Sequence, residues 1–195
     1  MTAMSVRKNG NKATADDKTR FDQEVLKFKE EEDWEGLRIA AQQWTAARTE
    51  DPDGWFNLGF ALHRMGRDVE AEAPLRTAQR KSAQGERSVA TLYLVLALAG
   101  TGRIDEALVI VDAIAADPER RHSSLMLKPQ VLVVGKRDDE AEEALLELLK
   151  FNSSYASSVE RYEPFKSLLK RSKLRRALKE ARAAKTHAKD LNRPS

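Results

Sequence analysis

One feature constrains this chain more than any other: a turn made of Gly and a basic residue, followed by an apolar helical segment that contains Ala, occurs three times. Gly66-Arg67 leads to Ala71, Gly102-Arg103 to Ala107 and Gly135-Lys136 to Ala141, with the glycines 36 and 33 residues apart. Two helices joined by such a turn cannot bury their apolar faces alone, so the hairpins must stack on their neighbours. The apolar residues agree with that spacing. Phe21, Val25 and Phe28, then Trp34, Leu37, Ala41 and Trp44, supply a first pair, and Asp51-Pro52 ends one helix and begins the next. Leu94, Leu98, Ala107, Val111 and Ile114 supply a third, closed by Asp117-Pro118. In the fourth, Ala141, Ala144, Leu145, Leu148 and Leu149 mark the second helix. Pro129 is expected to break or kink the first and leave residues 121–134 irregular.

The second pair is the clearest. It reads Trp55-x-x-Leu58-Gly59-x-x-Leu62, followed by Ala71, Leu75 and Ala78. Small residues at Gly59, Ala71 and Ala78 let two helices approach closely, and Leu58, Leu62, Leu75 and a buried Trp55 fill the space between them. This pattern resembles the tetratricopeptide (TPR) repeat family over residues 18–152. The resemblance implies an all-α, right-handed TPR-type superhelix, an α-solenoid of helical hairpins spanning about 18–51, 52–87, 88–120 and 121–152. C-terminal capping helices are expected over 153–195, with a basic terminal helix, and a disordered basic tail over 1–17. The family also uses one face of each first helix to line a concave groove that holds a partner protein. That face offers Phe56, Asn57, Phe60, His63, Arg64, Leu92, Tyr93 and Leu96 here, with Phe60 expected to stand clear of the core between helices. Family members that grip acidic chaperone tails place Lys and Asn on these faces, whereas this chain has Asp22, Leu26, Phe56 and Phe60. The expected occupant is therefore an apolar peptide or an amphipathic helix, or else the chain's own C-terminal helix.

Catalysis is not expected. With no cysteine there is no disulfide, thiolate metal site or cysteine nucleophile. His63, His122 and His187 fall on different units without metal-ligand spacing, so no metal is expected. The runs Glu30-Glu31-Glu32-Asp33 and Asp138-Asp139-Glu140 fall at helix junctions, where the macrodipole favours negative charge. Gly100-Thr101-Gly102 follows a helix rather than a strand, which makes it a repeat turn and not a phosphate loop. No cofactor follows from any of these.

Charge is unevenly distributed. Residues 165–195 hold 11 Lys and Arg against Glu180 and Asp190, and residues 1–20 hold five basic against two acidic residues, so with a total of +3 the body between them is acidic. Lys173, Arg175, Arg176, Lys179, Arg182 and Lys189 form the basic surface, opposite an Ala-rich apolar stripe. An acidic protein surface is the expected partner. An acidic tubulin-like filament would be one instance if the chain is a bacterial relative of kinesin light chains, which it resembles in class rather than in motif. A merely solvated end helix is the alternative. Nucleic acid is not expected, because no aromatic follows Phe165 for bases to stack on. Membrane binding is not expected from an Ala-rich stripe, and the longest apolar stretch, Val89 to Ala99, is too short to span a bilayer. The reading is a cytoplasmic, non-enzymatic adaptor or scaffold, the alternative being an accessory subunit or regulator of an enzyme or nucleic-acid complex.

Overall fold

The computed structural model describes residues 15–82 and 87–191, with side chains over 16–82 and 89–184; the expected tail falls outside the described residues over 1–14. The helices in order are α1 (Ala15–Glu30), α2 (Trp34–Ala47), α3 (Pro52–Arg64), α4 (Asp68–Lys81), α5 (Arg87–Gly100), α6 (Ile104–Ala115), α7 (Arg121–Val134), α8 (Asp138–Phe151), α9 (Ala156–Arg161) and α10 (Ser172–Leu191). Short 3-10 turns fill the gaps around α9, and no strand occurs among the described residues. The chain falls into two compact units, Met1–Ala90 and Thr91–Ser195. In the first, α1 packs on α2, α2 on α3 and α3 on α4; in the second, α6 packs on α7 and α7 on α8.

The turns inside the hairpins share one backbone geometry. Glu32, Gly66, Gly102 and Lys136 adopt left-handed φ values of 52°, 72°, 81° and 57°. The next residue's N–H then reaches back five positions, Asp33 to Phe28, Arg67 to Leu62, Arg103 to Leu98 and Arg137 to Leu132, each at 2.9 Å to the carbonyl oxygen. This closure satisfies a carbonyl that the end of a helix would otherwise leave open. The fourth turn thus takes its left-handed residue from Lys136 and not from Gly135, which corrects the register read from glycines alone. Gly135 is right-handed, with φ −74°, and is small for another reason: a Cβ there would lie 2.9 Å from the Ile104 side chain.

Three of the second helices, α4, α6 and α8, begin on a charged pair. Arg67, Arg103 and Arg137 donate from Nε to Glu70, Glu106 and Glu140, three residues on, at 2.7, 2.9 and 2.6 Å. In the first hairpin Asp33 takes that place and accepts the Gly36 N–H at 2.8 Å, a side-chain N-cap. Of the acidic runs noted in the sequence, Asp33 and all of Asp138-Asp139-Glu140 are therefore helix-start residues, favoured by the dipole, whereas Glu30 ends α1.

The two units fill their interiors differently. In the first, Ala71, Leu75 and Ala78 are fully buried, and a Cβ on Gly59 would lie 2.5 Å from Leu75 Cγ, so α3 and α4 approach as closely as a glycine allows. Phe21 and Trp44 stack at 4.4 Å with rings 7° apart, and the Trp44 indole donates to Asp51 at 2.9 Å. Trp55 is not the buried residue expected: it is half-buried, with its indole N–H on the Thr49 carbonyl at 2.8 Å. The second unit packs an aliphatic cluster that includes Leu125, Leu132, Leu145, Leu148, Leu168, Leu174 and Leu178.

Residues 121–134 are regular, against expectation. α7 runs continuously through Pro129, which is buried, as α4 runs through Pro74. Each proline removes one backbone N–H from the helix, and the burial of its ring and of the surrounding apolar residues outweighs that single lost bond.

Candidate functional site

In the first unit, three aromatic rings and two cations meet on one face. Trp34 opens α2 and meets Phe60 of α3 edge-on at 5.6 Å, and Phe60 meets Phe56, one turn earlier, at 6.0 Å. Lys29 of α1 lies over Phe56 at 5.6 Å and over Phe60 at 5.0 Å. Arg64 lies over Trp34 at 4.1 Å and also reaches Glu32 at 3.8 Å. The attraction of a cation to a ring face holds these long side chains against the aromatics instead of leaving them in solvent. Burial pushes the Lys29 ammonium below the ordinary lysine value, with the Asp53 carboxylate acting in the opposite direction. Leu26, three residues before Lys29 on the same side of α1, is 58% exposed.

The residues read as a groove do not share one environment. Phe56 is half-buried and Arg64 exposed, on the face just described. Phe60 is only 8% exposed and wedged between Trp34 and Phe56, so it belongs to the core, correcting its assignment as a residue clear of it. Asn57 is buried; its Nδ2 donates to the Asp53 carbonyl at 2.9 Å, while its Oδ1 finds no partner among the described residues. His63 bonds Asp68 through Nδ1 at 2.5 Å and so pins the end of α3 to the start of α4. Leu92, Tyr93 and Leu96 are half-buried on α5, in the second unit. Lys29 and Trp34 escaped the sequence reading because each contacts α3 only once the helices are packed.

At the C-terminus, Leu174, Leu178 and Ala181 of α10 are buried, seating the helix on α8, on α9 and on the 3-10 turns Ser153–Tyr155 and Leu168–Lys170. Arg171, just before α10, donates to Asp139 at 2.6 Å and to Glu142 at 3.1 Å, and Glu142 also accepts the Leu174 N–H at 3.3 Å. These carboxylates hold the Arg171 guanidinium more firmly protonated than usual. The Arg171 contact to Asp139 repeats, one hairpin later, that of Arg137 to Asp105 at 2.7 Å. Lys173, Arg175, Arg176, Lys179 and Arg182 are all exposed, and the Lys189 side chain lies outside the described residues. Arg176 pairs with Glu180 at 2.8 Å, and Arg182 pairs with Glu160. Among the described residues no group of His, Asp and Glu is placed to hold a metal ion, and no helix is long and apolar enough to cross a membrane.

No protein-family model matches this chain, and no curated protein does. Among solved structures, it is similar to the nearly identical TPR-like repeats of a protein from Podosopora anserina described as a kinesin light chain. The two share 18% identity and a TM-score of 0.58, over 88% of this chain and 96% of the other. The fold is TPR-like. It is an all-α repeat of paired helices.

Proposed function

We propose that this TPR-like chain is a protein-interaction module, a non-enzymatic adaptor that holds a segment of a partner protein on the aromatic face of α1 and α3. The observation that carries this reading is the arrangement of Lys29 and Arg64 over Trp34, Phe56 and Phe60, with Leu26 exposed beside it. Aromatic rings and guanidinium groups gathered on a rigid helical scaffold are the chemistry of binding hot spots, because they offer large contact areas at little cost in conformational entropy. A partner segment with one or two apolar side chains and a flanking carboxylate fits this face best: the side chains would cover Leu26 and Phe56, and the carboxylate would meet Lys29 or Arg64.

The test uses the full chain as bait, with partner capture quantified by mass spectrometry and circular dichroism recorded in parallel. Leu26→Glu is expected to reduce capture about tenfold or more while leaving the helical signal unchanged, since Leu26 is exposed. Val109→Glu, at a still more exposed site on α6, is expected to leave capture intact. Equal capture by wild type and Leu26→Glu, with both folded, would overturn the assignment of this face.

A further inference from the structure

α10 begins in the same register as α8, 34 residues later. The Arg175 N–H reaches the Arg171 carbonyl at 3.0 Å just as the Ala141 N–H reaches that of Arg137 at 2.9 Å. In that register Arg175, Lys179 and Arg182 stand where α8 has Ala141, Leu145 and Leu148, all three fully buried. α10 instead buries Leu174, Leu178 and Ala181, each one position earlier. One residue is about 100° of helix rotation, so α10 has turned, and the positions that form the core of a hairpin face outward as three cations.

These cations wall a cleft of about 730 Å³, floored by Leu169 and Leu178 with Glu160 on its rim. That volume is in the ~300–1,000 Å³ range of clefts that take a ligand. Glu160 pairs with Arg182, whereas Arg175 and Lys179 make no ion pair among the described residues. We infer that this cleft is a docking seat for an acidic amphipathic helix of a partner protein. The helix sets its apolar residues on Leu169 and Leu178 and its carboxylates on Arg175 and Lys179. Its place follows from the register, because these positions elsewhere in the chain are covered by packed helices. Its charge follows from complementarity. Nucleic acid fits less well: no aromatic lines the cleft for a base to stack on, and the Glu160 carboxylate would repel phosphate. The inference rests on the protein-binding reading but uses a different surface, so the two can fail separately.

Fluorescence anisotropy with the full chain tests it, using three labelled probes: a peptide of about 15 residues with Leu on one helical stripe and Glu on the rest, an all-Glu peptide of equal length, and a single-stranded oligonucleotide. The Glu/Leu peptide is expected to bind tightest. Arg175→Glu with Lys179→Glu should weaken it about tenfold or more, and raising salt from about 50 to 500 mM should narrow that difference. Arg20→Glu with Lys27→Glu makes the same net charge change elsewhere and should alter binding by less than about twofold, as should Leu26→Glu. Equal loss from the two charge reversals would reduce the effect to net charge and overturn the inference. So would equal binding of the all-Glu peptide, or tighter binding of the oligonucleotide. Size-exclusion chromatography of the chain alone supplies the last arm: a dimer dispersed by the Glu/Leu peptide would make a second copy the occupant and overturn it too.

Discussion

The two units carry the same hairpin, with the same left-handed turn and the same Arg–Glu pair at the start of α4, α6 and α8, yet they fill it with different chemistry. The first packs Trp and Phe, with Lys and Arg laid over the rings; the second packs mainly Leu, Val and Ala, with Phe165 among them. The scaffold therefore depends on turn geometry and on small residues at close approaches, such as Gly59 beneath Leu75 and Gly135 beneath Ile104, and tolerates either filling. What the filling changes is the surface. The first unit gathers Trp34, Phe56, Lys29 and Arg64 on one face, while the second keeps its leucines inside and shows the cations of α10.

The largest expected effects come from attacking each filling. Phe60→Ala in the first unit and Leu145→Ala in the second should each cost about 3–5 kcal/mol, since both remove buried apolar volume. Trp34, Trp44 and Trp55 all lie in the first unit, so tryptophan fluorescence reports on that unit while circular dichroism reports on the whole chain. In urea, Phe60→Ala should lower the fluorescence midpoint, and Leu145→Ala should act chiefly on the dichroism. If both variants shift both signals equally, the units unfold as one and their difference has no energetic meaning.

Glu142→Ala sharpens the second unit's side of the contrast. It removes the acceptor of the Leu174 N–H and a partner of Arg171, and should cost about 1–2 kcal/mol, with faster amide exchange confined to the start of α10. Exchange that rises uniformly across α7 and α8 would mean that α10 is not seated independently by this contact.

The turns allow a smaller, signed comparison. Gly66 occupies a left-handed position at no steric cost, whereas Lys136 occupies the equivalent position against its preference. Gly66→Ala should lose about 1 kcal/mol and Lys136→Gly should gain somewhat less, both measured by urea denaturation. A loss from Lys136→Gly would show that the lysine side chain does more than tolerate the turn. The smallest effect is expected from Arg64→Gln, about 0.5–1 kcal/mol, from an exposed cation over Trp34.

Much of the fold was legible in order along the chain. Ala71, Leu75, Ala78, Ala107, Val111, Ile114, Ala141, Leu145 and Leu148 are all buried, as their spacing requires. Less of the candidate site was. Phe60 reads as a surface residue by its place on α3, and becomes core because Trp34, on another helix, closes over it. Pro129 reads as a break because local propensity counts only the missing N–H and not the burial around the ring. Glycine spacing misplaced the fourth turn by one residue, since Gly135 serves a close approach to Ile104 and Lys136 takes the left-handed position. A series of Arg67, Arg103, Arg137 and Arg171 was present in the sequence and would have marked the start of α10 as a fifth second helix.

The sequence by itself determined the period, the second helix of each hairpin and the basic character of the C-terminus, because these follow from residue type and spacing along one helix. Only the tertiary structure decided which side of each helix faces in. α10 shows why: its backbone register is that of α8, but α9 and the turns around it stand where the other hairpins have a full first helix. With that support changed, the helix settles one residue round, burying Leu174, Leu178 and Ala181 and exposing Arg175, Lys179 and Arg182. Rotation about a helix axis is fixed by what the helix packs against, and no pattern within the helix records its neighbour's shape.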